Sequence, residues 1–209
     1  MDNWPVTTES KDEICFLKTN KTLTPFVQIY YEVLNKELRN YKNMQESDFK
    51  NKFVDPFWIT GFVDGEGCFC VSFNLKQRLV LGIEVRPSFS ISQVRDKEGL
   101  NLTCLQDVLN FFSCGSIRFS KKDNTWKYEC RDLSDIRSKI LPHFEDFRLR
   151  TKKLKDFELF KKVVNSVAAK QHLNESGLRS IIEISYQINM GKRKLTKDSL
   201  LSKINVKGL

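Results

Sequence analysis

The chain has 209 residues, of which 40% are apolar, 11% aromatic and 29% charged. This composition is typical of a folded chain with a sizeable core and excludes a disordered or fibrous protein, and no apolar run is long enough to span a bilayer. The 35 Lys and Arg residues against 26 Asp and Glu give a net charge of +9. That excess indicates a polyanionic partner such as nucleic acid, although lysines scattered over solvated helix faces would give the same charge.

The charge is unevenly distributed along the chain. Residues 1–52 carry eight basic and eight acidic residues, whereas residues 53–209 carry 27 and 18. We therefore predict an N-terminal extension over 1–52 and a basic domain over 53–209. In the extension, Thr24 and Pro25 begin an amphipathic helix predicted over 24–43. The first residues lack the basic and apolar regions of a secretory signal, so we expect the protein to act where it is translated.

The cysteines and histidines give no metal-binding pattern. None of the cysteines has CxxC spacing, and both histidines lie far from them in sequence; the residues are Cys15, Cys68, Cys70, Cys104, Cys114, Cys130, His143 and His172. We therefore predict buried thiols in a reducing compartment, and neither a zinc site nor a disulfide framework.

The basic domain opens with a helix that runs directly into a strand. Pro56 begins the helix, and residues 68–74 then alternate between apolar and polar, as do residues 82–93. These two strands predict a hairpin with a loop over 75–81. A helix is predicted over 97–112, followed by a second hairpin over 116–130 that turns at Asp123 and Asn124. Helices are predicted at about 134–144, 152–165 and 175–190, before a basic tail from residue 191. The fold class is therefore α+β, with helices on one face of an antiparallel sheet.

The other face of this sheet is predicted to be polar and charged. Alternation assigns to it Ser72, Asn74, Lys76, Glu84, Arg86, Ser88, Ser90, Ser92, Arg118, Ser120, Lys127 and Glu129. Side chains of these types can read base edges in the major groove, which a two-stranded β-ribbon fits. This face is a candidate DNA-binding surface, and an ordinary solvated sheet face is the alternative interpretation.

Residues 59–67, Ile-Thr-Gly-Phe-Val-Asp-Gly-Glu-Gly, resemble the nine-residue LAGLIDADG motif of homing endonucleases. The αββαββα order that follows extends the resemblance over about residues 55–195. The resemblance implies a saddle-like sheet with further C-terminal helices. It also implies a site-specific double-strand DNA endonuclease, typically encoded within an intron, that leaves short 3′ overhangs.

The motif also predicts how the protein assembles. Gly61 and Gly65 lie four residues apart on one helical face, so two such helices can approach closely, with Trp58 and Phe62 expected in the same interface. The chain has a single motif, whereas two DNA strands must be cut. We therefore expect a homodimer on a pseudo-palindromic target.

The motif glutamate is the predicted catalytic carboxylate. Glu66 emerges at the helix end, and two copies side by side would place two carboxylates close together, which requires a divalent cation. We expect Mg²⁺ or Mn²⁺, held at Glu66 and Gly65. Asp64 points elsewhere and, by resemblance, fixes the helix end.

The resemblance implies two further catalytic residues. Gln93 matches a residue that orients metal-bound water, and Lys153 matches a lysine that reaches the active-site water network and phosphate. Lys152 is the rival of Lys153 and is also counted among the DNA-binding residues, and Lys97 is a weaker match. An ordinary strand-end glutamine and a solvated lysine cluster are the alternative interpretations.

Other activities are compatible with the same fold. A maturase would bind intron RNA, and a nuclease-dead relative would only bind DNA, but the presence of Glu66, Gln93 and Lys153 together favours cleavage. A transcription regulator would usually add a DNA-binding domain, and residues 1–52 have no recognisable helix-turn-helix. Abundant Lys, Asn and Phe fits an AT-rich genome, which favours an organelle-encoded product in a mitochondrion or chloroplast.

Overall fold

The computed structural model of the protein describes residues 54–189 and 193–205. These residues belong to the second of the two units into which the chain divides, residues 54–209. The helix predicted over 24–43 lies outside the described residues. No helix in the described ranges is both long enough and apolar enough to cross a bilayer.

Helices and strands follow one another in the predicted order. They are α1 (Pro56–Glu66), β1 (Gly67–Leu75), β2 (Ile83–Val94), α2 (Leu100–Phe112), β3 (Ser116–Ser120), β4 (Thr125–Cys130), a helical run made of α3 (Leu133–Asp135), a π-helical turn (Ile136–Ile140) and α4 (Leu141–Asp146), then α5 (Lys153–Ala168), a 3₁₀ turn (Gln171–Leu173), α6 (Glu175–Ser185) and α7 (Lys197–Leu201). The predicted α+β class and both hairpins are confirmed.

The four strands form one antiparallel sheet in the order β1-β2-β4-β3, so each hairpin supplies one central strand and one edge strand. Phe69 of β1 lies opposite Phe89 of β2, which in turn lies opposite Cys130 of β4. All three side chains are buried. Because side chains alternate between the faces of a strand, this register fixes which face of the sheet is covered.

Aromatic side chains fill the space between the covered face and the helices. The ring of Phe69 lies 5.2 Å from that of Phe89, 5.5 Å from Phe144 of α4 and 5.4 Å from Phe157 of α5, measured between centroids. Rings at these separations attract one another beyond the effect of the apolar area they bury. The apolar positions of the predicted strands therefore anchor α4 and α5 on the sheet.

Helix α2 begins three residues later than predicted. The Asp96 carboxylate accepts hydrogen bonds from the backbone N–H groups of Leu100 (2.7 Å) and Asn101 (3.2 Å). Gly99, which directly precedes Leu100, has a φ of +76°. Glycine adopts this conformation without strain. The cap formed by Asp96 thus starts the helix after Gly99, whereas the sequence pattern alone extended it to residue 97.

The C-terminal segment does not form the simple basic tail that was predicted. Leu200 and Ile204 are buried in a second, smaller cluster with Ile83 of β2 and with Leu178 and Ile182 of α6. Thr196 caps α7 by accepting a hydrogen bond from the Ser199 N–H at 3.2 Å. Residues 193–205 therefore pack against the first hairpin, and Lys197 lies on a helix within this segment.

Three side chains cover the outer edge of β1. The backbone carbonyl of Gly67 accepts a hydrogen bond from Lys153 Nζ, that of Phe69 from Asn189 Nδ2, and that of Val71 from Arg193 Nη1. These are alternate residues, whose carbonyls point away from β2. The donors come from α5 and from the segment after α6, so both C-terminal elements are tied to the strand that follows the motif.

Candidate active site and nucleic-acid interface

Helix α1 has one face packed into the domain and one face open. Asp55 caps the helix by accepting a hydrogen bond from the Phe57 N–H at 2.7 Å. Ile59, Thr60 and Val63 are buried. The opposite side bears Phe57, which is 69% exposed, Trp58, which is 40% exposed, and the two exposed glycines of the motif. The predicted interface residues therefore share an accessible face.

The glycines of the motif differ in what surrounds them. A Cβ added to Gly61 or Gly65 would meet nothing within 4 Å, whereas one added to Gly67 would lie 2.5 Å from Val63 Cγ1 and 2.8 Å from the Val63 carbonyl oxygen. Within the described chain, only the last of these three positions needs glycine for space. The helix-propensity cost of Gly61 and Gly65, roughly 1 kcal/mol each, is therefore not explained by packing among residues 54–189 and 193–205.

A hydrogen-bonded pair holds the buried face of α1 in place. The Thr60 hydroxyl donates to the carbonyl of Phe147 at 3.1 Å and lies 3.2 Å from Nε2 of His143. Since the hydroxyl proton goes to the carbonyl, Nε2 must carry the proton that it donates to Thr60. Burial lowers the pKa of His143 to about 4, against a smaller opposing effect of the Asp146 charge. His143 is thus a neutral residue that helps to hold α1 in place.

Asp64 ties the end of α1 to the segment before α5. Its carboxylate accepts hydrogen bonds from the Arg150 N–H at 2.8 Å and from the N–H and hydroxyl of Thr151 at 3.3 and 2.8 Å. The Thr151 hydroxyl oxygen accepts in turn from the Lys153 N–H at 3.2 Å. The motif aspartate therefore positions the start of the helix that carries the candidate lysine.

This geometry distinguishes the two candidate lysines, Lys152 and Lys153. Lys153 is half-buried, and its ammonium donates to the carbonyl of Gly67, the residue that follows Glu66. Lys152 is exposed and directly precedes α5. Of the two, Lys153 is the one that reaches the end of the motif helix.

Glu66 is the last residue of α1 and is exposed. A carboxylate at this end of a helix lies where the macrodipole is negative and the last carbonyls lack intrahelical donors, which is unfavourable by about 0.3–1 kcal/mol. No basic residue occupies the last turn to offset the repulsion. The position thus favours a cation from outside the helix.

Gln93 and Lys97 are not bonded to Glu66 in the described part of the chain. Gln93 is half-buried near the end of β2, lies opposite Trp126 of β4, and follows buried Ile91 by two residues. Alternation therefore directs Gln93 to the covered side of the sheet, away from Ser92. Lys97 is exposed in the bend before α2.

The polar face of the sheet contains the predicted DNA-binding residues in register. Ser72 lies opposite Arg86, Asn74 opposite Glu84, and Arg118 opposite Lys127. Asn74 donates to Glu84 at 3.1 Å, and this hydrogen bond lowers the pKa of Glu84. Ser72, Arg86, Ser92, Arg118 and Lys152 are exposed, and Asn74, Lys76, Ser88, Ser120 and Lys127 are half-buried.

Two residues predicted on this face are not accessible. Ser90 is 5% exposed and Glu129 is 9% exposed. They lie opposite each other on the two central strands, and Ser90 also faces Cys68 of β1 while Glu129 faces Ser116 of β3. Neighbours on both sides cover them, so the prediction that they are exposed for direct contact with DNA was wrong.

One group of potential metal ligands was missed by the sequence patterns. Cys114 and Cys130 are buried with their sulfur atoms 3.8 Å apart, and Asp135 completes the cluster. Lys139 forms an ion pair with the Asp135 carboxylate at 2.9 Å. Thiols are soft ligands that suit zinc or copper and not magnesium. Cys114 and Cys130 belong to the hydrophobic core, and thiol ligands do not match the metal that the motif implies.

The family model described as LAGLIDADG endonuclease matches residues 59–164, about half of the chain, beginning at the first residue of the motif. The chain belongs to the LAGLIDADG endonuclease family.

Three proteins illustrate what the chain is similar to over most of the described domain. "Probable intron-encoded endonuclease 2" of Neurospora crassa is 32% identical over 154 residues, which cover 74% of this chain and 33% of that protein. The crystal structure of the homing endonuclease I-TnaI has a TM-score of 0.65 and 32% identity, covering 72% of this chain and 98% of the other. The I-SmaMI LAGLIDADG homing endonuclease bound to cleaved DNA has a TM-score of 0.62 and 33% identity, covering 68% and 46%. The chain thus spans about a third of the length of its Neurospora relative.

Proposed function

We propose that the chain is a site-specific double-strand DNA endonuclease that requires a divalent cation. It acts as a homodimer on a long pseudo-palindromic target and leaves short 3′ overhangs. The observation that carries this proposal is the exposed carboxylate of Glu66, placed at the negative end of α1 and next to the helix face that carries Gly61 and Gly65.

The donor atoms at the end of α1 fit a hard divalent cation. Glu66 supplies a carboxylate, and the end of the helix, including Gly65, supplies backbone carbonyls, all of which are oxygen ligands suited to Mg²⁺ or Mn²⁺. When bound, such a cation would polarise the scissile phosphate and help to activate water. The carboxylate holds the cation, and the exposure of Glu66 leaves room for a phosphate beside it.

Lys153 supplies positive charge at Gly67, the residue that follows Glu66. Its ammonium group is held at the Gly67 carbonyl by the chain of contacts that runs from Asp64 through Thr151. An ammonium fixed there can stabilise negative charge on a phosphate without being reoriented during the reaction. Gln93 is kept in the proposal as a water-orienting residue on the basis of the resemblance alone, since it has no contact with Glu66 among the described residues.

The open face of α1 supports the dimer. Two copies that meet through Gly61 and Gly65 would bury the stacked pair Trp58 and Phe62, whose rings lie 5.2 Å apart. A two-fold axis along this face would bring the two Glu66 carboxylates together, one for each DNA strand. The site is incomplete in a single chain, since one chain has one such carboxylate.

Duplex DNA is the proposed substrate. Arg86, Arg118 and Lys127 lie on the polar face, and Lys152 is exposed directly before α5. The similar I-SmaMI protein is described as bound to cleaved DNA. Phosphate contacts of this kind release counterions, so binding should weaken steeply as salt is raised. The intron-encoded relative and the composition of the chain support an organelle-encoded intron product, in a mitochondrion or chloroplast.

Cleavage of a plasmid library with randomised inserts tests the proposal, with Mg²⁺ or EDTA present and with the Glu66→Gln variant in parallel. We expect the parent to cut a small set of inserts only with Mg²⁺. The variant should still bind DNA but cut at least about a thousandfold more slowly, because it loses several kcal/mol of metal-assisted stabilisation of the transition state.

Glu158→Gln is the matched control, because Glu158 is an exposed carboxylate on α5; this variant should cut like the parent. Cutting by Glu66→Gln at the parental rate would remove this carboxylate from the mechanism. Tight, salt-sensitive binding without any cutting by the parent would instead favour a DNA-binding relative, and preference for intron RNA over duplex DNA would favour a maturase.

A further inference from the structure

Glu129 is the centre of an ion-pair cluster on the polar face. Its carboxylate lies 2.8 Å from Arg131 Nη2, 3.0 Å from Lys127 Nζ and 3.8 Å from Arg118 Nη2. The side chains of Arg118 and Arg131 are more than half exposed, whereas Glu129 is buried beneath them. One covered anion therefore contacts three cations that reach the surface.

This anion offsets a repulsion that the strand register creates. Arg118 of β3 lies directly opposite Lys127 of β4, and like charges at opposed positions destabilise a sheet. Arg131 is two residues from Glu129 on the other side. Burial would raise the pKa of Glu129, but the hydrogen bonds and charges of Lys127 and Arg131 outweigh it and hold that pKa below its ordinary value. The carboxylate therefore stays ionised at neutral pH.

A direct contact between Glu129 and DNA does not fit this geometry. A carboxylate can accept a hydrogen bond from a cytosine amino group in the major groove. It must be accessible to do so, however, and the Glu129 oxygens are covered and already bonded to cations. Phosphate groups near the surface would also repel it.

We propose that Glu129 is a positioning residue that fixes the directions of Arg118, Lys127 and Arg131 on the polar face, so that these three cations meet a bound duplex in a set arrangement. This inference rests on the proposed function. The same carboxylate removes one unit of positive charge from the surface, so it weakens binding to any duplex while it narrows the range of sequences that bind well.

The Glu129→Gln variant separates these two effects, because it keeps the shape of the side chain and removes the charge. Each protein is equilibrated, in EDTA to prevent cutting, with a pool of duplexes carrying a randomised segment, and the bound fraction is sequenced. The affinity of each protein for one scrambled duplex is measured over a range of salt concentrations. Melting temperatures show whether each variant is folded.

We expect Glu129→Gln to bind the scrambled duplex more tightly than the parent. The slope of log K against log salt should steepen by up to about 0.9, the effect of one more phosphate contact. Sequence preference should fall at least about fivefold at some positions of the duplex, since a well-oriented base contact contributes about 1 kcal/mol or more of discrimination.

Glu183→Gln is the matched control, because it makes the same change of charge at an ion pair with Lys197 on the helical side (2.7 Å). It should leave sequence preference unchanged. Glu129→Asp retains the charge but has a shorter side chain. It should lose part of the sequence preference without gaining affinity for the scrambled duplex. If Glu129→Gln does not fold, Glu129→Asp tests the proposal in its place.

Two results would overturn the role of Glu129 without affecting the proposed function. In the first, the parent is selective and the folded Glu129 variants show the same sequence preference. In the second, the Glu129 variants bind all duplexes more weakly by the same factor. A parent that binds no duplex at all would overturn the proposed function instead. The variants thus test the role of Glu129, and the parent tests the proposed function, in the same experiment.

Discussion

The two faces of helix α1 differ in how completely the chain accounts for them. On the buried side, contacts within the described chain explain the residues: Thr60 bonds to Phe147 and His143, and Gly67 leaves room for Val63. On the open face, no atom of the described residues lies within 4 Å of a Cβ added at Gly61 or Gly65, and exposed aromatic rings lie beside them. Glycines that lower helix propensity without relieving crowding among the described residues support the proposed packing against a second copy.

The largest expected effect is on the buried face. Gly67→Ala places a methyl group against the side chain and backbone of Val63, so we expect the free energy of unfolding to fall by about 3 kcal/mol, as for other overpacked sites. Gly65→Ala, two residues earlier, should leave the free energy of unfolding of dilute protein almost unchanged or raise it by up to about 1 kcal/mol. Urea unfolding of both variants measures the difference; equal destabilisation would mean that the two faces are not distinct.

The second prediction concerns the histidine that anchors the buried face. The folded pKa of His143 is about 4 against an ordinary value of 6.5, so the unfolded chain takes up the proton first. The neutral form therefore favours folding above pH 6.5, and this contribution is lost as the pH falls toward 4, by about 2.5 kcal/mol between pH 7 and 4.5.

Urea unfolding at both pH values measures this loss, and His143→Gln should reduce it because the amide cannot take up a proton in this range. His172→Gln serves as the control and should retain most of the pH dependence. A pH dependence of the His143 variant that matches the parent would show that other groups, such as the carboxylates, account for all of it.

The smallest expected effect on folding is at Gly61. Replacement by alanine should stabilise dilute protein by up to about 1 kcal/mol through helix propensity, while self-association, measured by sedimentation over a range of concentrations, should weaken at least about tenfold. Unchanged association would place the contact between copies somewhere other than the glycine face.

The sequence predicted the features that depend on local pattern. Alternation over residues 68–74 and 82–93 identified both strands and their covered faces, and the motif located α1 and Glu66. It could not show that β2 and β4 are the central strands, and this is what buries Ser90 and Glu129. Cys114 and Cys130 meet at the open end of the second hairpin, where Ser116 of β3 lies opposite Glu129 of β4. Residue spacing alone did not single out this pair, because the two cysteines lie sixteen positions apart.

Other features were missed because their signals are weak or distant in sequence. Leu200 and Ile204 are only two apolar anchors in a basic segment, too few to indicate a packed helix. The prediction of α2 overran its start because Asp96 caps it from four residues away. For the candidate site, the resemblance named both lysines, and the contact of Lys153 with Gly67 distinguishes them.

The outer edge of β1 limits how chains can join. An incoming strand would extend the sheet by donating its N–H groups to the carbonyls of Gly67, Phe69 and Val71, but Lys153, Asn189 and Arg193 already occupy those acceptors. A sheet edge without such partners is a template for aggregation. If two chains meet on one DNA molecule, as proposed, these contacts disfavour pairing of their sheets along this edge.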